Sequence, residues 1–220
     1  MGCQCQKPEL SNDEITSSDK KIKNIETNND NLLKNNYIFK KQVDINGEPS
    51  DEFSKYIFNQ INLLRQNPQS FIDVIEKSKK NIKLDKSGIK IYKTSVKVAL
   101  YNGESAFNDA IDALKKTEPM NKLIFNPDFV VDVPKTEIDI ISKDYLTNKV
   151  KIKIDSGIDI KSFWKDIVKD KEACFILTVV DDSIKNPGNK RNDILNKDNK
   201  YIGISSVKIG KNFACYIVIG

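Results

Sequence analysis

The hydrophobic residues that follow Ser50 recur with the spacing of a helix. After Ser50 they lie three or four positions apart, at Phe53, Ile57, Ile61 and Leu64. This spacing predicts a helix that Ser50 caps. Asn67 and Pro68 predict the end of this helix and the start of a second one, with Asn67 as the cap. A further helix is predicted over residues 104–116, and Asn126-Pro127 predicts another short one.

The second half of the chain shifts toward strands. Residues 150–154 alternate between apolar residues and lysine, which predicts a half-buried strand. The apolar residues within 163–168 predict a short helix. Residues 172–182 predict a buried helix, although their β-branched content leaves a strand open. Residues 201–207 and 213–219 flank a Gly-Lys-Asn turn and predict a hairpin that closes the domain.

Helices followed by a run of strands indicate an α+β domain over residues 49–220. Within it, residues 81–98 are predicted to be irregular, apart from an extended stretch at Ile89–Ile91. Residues 1–48 are polar and cannot bury enough apolar surface to offset chain entropy, so they are predicted to form a disordered tether. Tyr37–Phe39 is apolar enough to dock on the domain.

Composition narrows the chemistry. The chain has 220 residues, 36 basic residues against 31 acidic ones, and no histidine. The basic excess is thin and well mixed, so no nucleic-acid partner is expected. Without histidine, Ser-His-Asp and Cys-His hydrolases and the usual zinc sites are excluded. Cys174 and Cys215 lie in apolar segments and are predicted to be small buried hydrophobes, with a disulfide not expected in a cytosolic chain.

The N-terminus predicts attachment to a membrane. Gly2, once Met1 is removed, is the position that N-myristoylation requires, and Cys3 and Cys5 are positioned for S-palmitoylation. Gln6 departs from the preferred Ser or Thr. A single myristoyl chain binds only marginally, and a second chain makes residence long-lived. With no secretory signal and no spanning segment, the expected location is the cytoplasmic face of a cellular membrane, plasma or ciliary.

Two segments resemble the CAP superfamily, also called the SCP domain. Phe58–Phe71 carries an N-x-x-R-x-N-P-x-x-F pattern like that of the opening helix of the disulfide-free branch. Val180–Gly188, followed by Asn192–Leu195 and Tyr201–Ile204, is similar to its P-G-H-R-x-N-I-L segment and the strand after it. The resemblance covers residues 52–220 and implies an α-β-α sandwich with a central antiparallel sheet.

The chain departs from that family where the chemistry would be. The family cleft carries two His and two Glu that hold a divalent metal, but here Pro187-Gly188 is followed by Asn189, Lys190 and Arg191. The other histidine is missing from residues 126–134 as well. The resemblance therefore implies a vestigial cleft, with no metal and no cofactor, whose polar residues are Asn189, Lys190, Arg191, Asp128, Asp132 and Glu172.

These observations favour a non-catalytic binding or scaffold protein with a protein partner. Three alternatives stay open. Asp128 and Asp132, four residues apart, could share a helix face and act with Glu172 as a carboxylate hydrolase or a Ca²⁺ or Mg²⁺ site. The second alternative is a lipid or sterol carrier, because some CAP proteins hold apolar ligands. A structural piece of a larger assembly, without a ligand, is the third.

Overall fold

A computed structural model of the chain describes residues 38–39, 47–94, 97–132, 160–183 and 188–220. The acylation residues Gly2, Cys3 and Cys5 lie outside the described residues. So do the predicted strand at 150–154 and nearly all of the predicted tether.

Helix α1 spans Glu52–Gln66, as its apolar spacing predicts. Its cap is Asp51 rather than Ser50: Asp51 Oδ1 accepts the Ser54 N–H at 2.9 Å. The carboxylate also suits the positive end of the helix dipole better than a hydroxyl does. Asn67 ends α1, and Pro68 opens a 3-10 turn, Pro68–Phe71, that leads into α2, Ile72–Ser78.

A small antiparallel sheet replaces the irregular segment predicted for residues 81–98. After a 3-10 turn at Lys79–Asn81, it consists of β2 (Ile82–Leu84), β3 (Lys90–Lys93) and β4 (Lys97–Ala99), in that order. Tyr92 in the central strand is 3% exposed and lies 5.7 Å from the Phe107 ring. That long-range contact supplies the burial that local sequence does not reveal.

Two further helices complete the helical layer. Helix α3 spans Glu104–Lys116, as predicted. Helix α4 spans Lys171–Val180. It confirms the predicted buried helix, and the strand that its β-branched residues also allowed is not formed. Asp170 Oδ1 caps α4 through the Ala173 N–H at 2.6 Å. The helices pack α1 on α4, α2 on α3 and α3 on α4.

The main sheet has the strand order β5-β8-β9-β7. The strands are β5 (Ile124–Phe125), β7 (Ser162–Val168), β8 (Tyr201–Ile209) and β9 (Asn212–Ile219), with β6 (Val131–Asp132) outside this sheet. The β8–β9 hairpin confirms its prediction. Strand β5 runs parallel to β8, so the sheet is mixed rather than wholly antiparallel.

Strand β7 overturns the short helix predicted over residues 163–168. All seven of its residues pair with β9, from Ser162↔Ile219 to Val168↔Phe213. Its apolar residues do not alternate strictly because both faces of the sheet are covered. The buried run Ala214–Ile219 in β9 shows the same cover on both faces. The local pattern therefore resembles that of a helix, and pairing with the distant strand β9 determines that the segment forms a strand.

Among the described residues, those that follow β5 in the chain cover the second face of the main sheet. A 3-10 turn, Pro127–Phe129, leads into β6, and both contact β8. At Gly203 in β8 an added Cβ would overlap the Phe129 backbone, so this close approach requires glycine. Ile38–Phe39 (β1) pairs with β6, in agreement with the predicted docking of Tyr37–Phe39.

The two polar residues of the N-x-x-R motif, Asn62 and Arg65, lie in the core and bind backbone. Asn62 Oδ1 accepts the Leu123 N–H at 2.8 Å, and its Nδ2 donates to the Leu123 carbonyl at 3.2 Å. Arg65 is fully buried, and burial lowers its pKa. Its guanidinium donates to the carbonyls of Asn121, Ile194, Asn196 and Asn199 at 2.7, 2.6, 3.0 and 3.3 Å. We call Arg65 and these four carbonyls the arginine clamp.

Substitution of Arg65 should destabilise the whole domain. In Arg65→Met the four carbonyls lose their donor, and those of Ile194 and Asn199 lose it in buried positions, so we expect the free energy of unfolding to fall by about 3–5 kcal/mol. Urea denaturation followed by circular dichroism measures it. Gln66→Met, an exposed neighbour on the same helix, is the control and should change stability by less than about 0.5 kcal/mol. Equal stability of the two variants would contradict the clamp.

Candidate functional site

Asn189, Lys190 and Arg191, which were predicted to belong to a vestigial cleft, lie at the start of a short helix, α5 (Lys190–Ile194). Asn189 is exposed just before it. Lys190 Nζ forms an ion pair with Asp166 Oδ1 of β7. Arg191 is 3% exposed, and its Nη1 donates to the carbonyls of Val179 and Val180 at 3.2 and 2.9 Å. Lys190 and Arg191 therefore bind groups of the fold itself.

Asp181 completes this group of side chains. It follows α4 in the left-handed conformation, with φ at 54°, and is 2% exposed. Its Oδ2 accepts the backbone N–H of Arg191 at 3.2 Å. Gly188 lies against the same carboxylate, where a Cβ would collide with it. We call Asp166, Asp181, Lys190 and Arg191 the polar cluster.

The electrostatics of the polar cluster favour fixed charges over proton transfer. Burial acts to lower the pKa of Lys190, but the charge and hydrogen bond of Asp166 outweigh it, and the pKa is raised. Burial raises the pKa of Asp181, against the N–H bond of Arg191 and the nearby cations. Burial lowers the pKa of Arg191, which stays charged. Lys190 is thus protonated at neutral pH and is not a general base.

The two thiols beside the polar cluster are buried, as predicted. Cys174 and Cys215 are free and fully buried. The hydrogen bond that the Cys215 thiol makes with Cys174 raises the pKa of Cys215, and burial raises it further. Since the thiolate is the reactive form, Cys215 is not an activated nucleophile.

The predicted carboxylates are not brought together. Asp128 lies in the 3-10 turn and donates its N–H to Asn126 Oδ1 at 3.0 Å, whereas Asp132 lies in strand β6. The predicted shared helix face is therefore wrong, because the chain is extended over Val130–Asp132. Glu172 is in the first turn of α4, about 14 Å along the helix from Asp181. Among the side chains that the structure describes, no three potential ligands cluster as a metal site would need.

A groove opens at the other end of α4, where the N-termini of α1 and α4 meet the β8–β9 hairpin. We call it the N-cap groove; its volume is about 570 Å³, within the range of ligand sites. Phe53 and Phe213 stack at 4.8 Å and form its apolar wall. Charged residues surround this wall: Asp51, Glu52, Lys169, Asp170, Lys171, Glu172 and Lys208.

Both helix N-termini at the N-cap groove are already satisfied by the protein. Asp51, besides capping α1, accepts the Ser206 hydroxyl at 2.6 Å. Asp170, besides capping α4, accepts the Thr94 hydroxyl at 3.3 Å. The groove therefore offers an aromatic wall and charges of both signs, which suits a peptide segment with an apolar side chain. Of the predicted site residues, only Glu172 lines the N-cap groove. The spacing of the sequence did not indicate that the other lining residues would meet here.

A second groove lies between α1 and β5. Its volume is about 430 Å³. Leu63 and Ile124 line it and are 51% and 59% exposed. Glu48, Asn59, Gln66 and Lys122 share its lining, so this groove is not the wholly apolar pocket that the carrier alternative requires.

Replacement of Asp181 tests the electrostatic cost of its burial. Because its pKa is raised in the native state, the native chain loses stability as pH rises from about 3.8 through the raised value. Asparagine removes this titration, still accepts the Arg191 N–H and tolerates the left-handed conformation. We therefore expect Asp181→Asn to be at least as stable as the native chain at pH 7, with an advantage that shrinks toward pH 4.

Urea denaturation at the two pH values measures this difference. Asp198→Asn, at an exposed position, serves as the control and should show no such pH-dependent gain. A loss of stability in Asp181→Asn that is larger at pH 7 than at pH 4 would contradict the assignment.

Comparison of the chain with protein-family models, curated proteins and solved structures finds no match. The resemblance to the CAP superfamily therefore rests on the segments of the chain quoted above. None of the helices in the described ranges is both long and apolar enough to cross a membrane.

Proposed function

We propose that this chain is a non-catalytic, CAP-like binding module attached to the cytoplasmic face of a membrane by acyl chains on Gly2, Cys3 and Cys5. The strongest support is that the residues of the polar cluster bind other groups of the fold. Lys190, Arg191 and Asp181 lie where the resemblance puts the metal-binding histidine segment, and each binds a group of the fold. They add structural contacts between α4, α5 and β7.

The architecture is compatible with a CAP-like sandwich. Helices α1 and α4 pack on each other, with α1 against β8 and α4 against β7. The two resembling segments contribute buried polar residues, Arg65 and Arg191, that bind backbone carbonyls between elements. Such contacts give these segments a reason to persist without any catalytic role.

The N-cap groove is the proposed partner site. Its wall of Phe53 and Phe213 supplies the apolar contact, and Lys208 and Glu172 supply charges of both signs at the rim. Aromatic anchors with a polar rim are the composition of protein-binding surfaces. The hydrolase alternative is weaker, because Asp128 and Glu172 lie on separate elements.

The acyl attachment is tested with Gly2→Ala and with Cys3→Ser/Cys5→Ser in the native cell. We expect Gly2→Ala to abolish both myristate labelling and membrane residence. The cysteine variant should keep myristate but leave the membrane rapidly, since one chain binds only marginally. Acyl labelling with cell fractionation gives the result, and Ser11→Ala is the matched control. Unchanged membrane residence of both variants would remove the anchor.

The partner site is tested by photo-crosslinking in the native cell. A photoreactive residue at Lys208, on the rim of the N-cap groove, should crosslink to a discrete protein. The same residue at Lys116, exposed at the end of α3, should not. Crosslinks that are equal from both positions, or absent from Lys208, would contradict a partner in this groove.

A further inference from the structure

Lysines are concentrated in one short part of the chain. Residues 77–97 contain a single acid, Asp85, and these lysines: Lys77, Lys79, Lys80, Lys83, Lys86, Lys90, Lys93 and Lys97. Four of the eight lie in the strands of the small sheet β2–β4, and Lys86 lies in the turn between β2 and β3. We call this sheet with its turn the basic hairpin. Composition alone conceals this local excess, because acids elsewhere balance it.

Strand register sorts the basic hairpin into two different faces. Ile82, Tyr92 and Val98 are paired across the three strands and pack against the core. The opposite face, which we call the outer face, carries two rows. One row joins Lys83, Ile91 and Ala99, and the other joins Lys93 to Lys97. Ile91, at the centre of this face, is 6% exposed, so the exposed part of the face consists of the three lysines and Ala99 around it.

The outer face contains a pair of like charges that lowers the stability of the folded chain. Lys93 and Lys97 lie directly opposite each other, and like charges in that position destabilise a sheet. Within the described residues, Lys83, Lys93 and Lys97 make no ion pair, whereas Lys79 and Lys190 do. A surface of opposite charge would turn this unfavourable face into a favourable contact.

The tip of the basic hairpin carries exposed aliphatic side chains beyond the edge of the core. By strand register Leu84 shares the face of Ile82 and Tyr92, so it reaches the tip from the side opposite to Lys83. Leu84 and Ile89 flank the turn and are 68% and 50% exposed. The one acid, Asp85, is engaged in the turn: its Oδ1 accepts the Ser87 N–H, the Ser87 hydroxyl and the Ile89 N–H at 2.7–2.9 Å. Gly88, at φ +82°, closes the same turn.

We propose that the basic hairpin docks on an anionic phospholipid surface, with Lys83, Lys93 and Lys97 at the headgroups and Leu84 and Ile89 in the interface. Lysine near an anionic leaflet and aliphatic insertion into the headgroup layer act together in membrane binding. Nucleic acid fits less well. The aromatic ring within the sheet, Tyr92, is buried, and the exposed ring nearby in the sequence is a single one, Tyr101, after β4, whereas single-stranded nucleic acid is bound by several stacking rings.

This contact goes beyond the proposed acyl attachment and does not depend on it. A chain produced without acylation lacks the fatty groups but keeps the basic hairpin. Failure of the hairpin therefore leaves the Gly2 result in cells unaffected, and the reverse also holds.

The test is sedimentation of the full, unacylated chain with phosphatidylcholine vesicles, with and without about 30% phosphatidylserine. We expect binding only to the phosphatidylserine vesicles, weakening as salt is raised. Lys83→Gln/Lys93→Gln/Lys97→Gln should lower the partition coefficient on the order of a hundredfold, roughly fivefold per lysine. Leu84→Ser/Ile89→Ser should also lower it, with little effect on folding since both side chains are exposed.

The matched control is Lys116→Gln/Lys122→Gln/Lys200→Gln, which removes the same charge from exposed lysines outside the basic hairpin. It should change the partition coefficient by less than about threefold. An equal loss in the control would show that net charge alone drives binding, and would overturn the assignment. Binding to single-stranded RNA without binding to the phosphatidylserine vesicles would also overturn it, in favour of a nucleic-acid surface.

Discussion

The buried guanidinium of Arg65 is the contact on which the rest of the domain depends. It lies in the middle of the interior and reaches the carbonyls of Asn121 before β5 and of Ile194, Asn196 and Asn199 after α5. One side chain of α1 thus fixes two connections that are distant in the sequence. Without it these carbonyls would lose their donor, a cost that is a large fraction of the stability of an ordinary domain.

A second arginine, on the helix α5 whose last carbonyl Arg65 binds, also donates to backbone carbonyls. Arg191 binds the last carbonyls of α4, while Asp181 accepts its backbone N–H and Lys190 pairs with Asp166. The charges in this region are satisfied by each other and by backbone. A region so occupied stabilises the relative positions of α4, α5 and β7, and it has little capacity left for substrate chemistry.

Binding would then depend on surfaces rather than on a catalytic centre. The N-cap groove combines stacked phenylalanines with charges of both signs, whereas the basic hairpin presents lysine and aliphatic residues. These are different chemistries and fit different partners, a polypeptide and an anionic bilayer. A membrane-attached protein would use the two surfaces together, one toward the lipid and one toward its partner.

The sequence by itself determined the helices α1, α3 and α4, the closing β8–β9 hairpin and the lack of imidazole chemistry. These follow from local periodicity, turn residues and composition, which need no knowledge of distant contacts. Tertiary structure alone decided that residues 162–168 form a strand and that residues 82–99 form a sheet. Their order comes from pairing with β9 and from burial of Tyr92, far along the chain.

The site divides in the same way. Sequence pattern identified Lys190 and Arg191 but could not supply their partners, because Asp166 lies in a segment whose local pattern is helical. It likewise could not place the caps Asp51 and Asp170 in one groove, or Lys93 opposite Lys97. Local patterns specify which conformation a segment prefers, whereas strand register and helix packing specify which side chains meet, and only the folded chain contains that information.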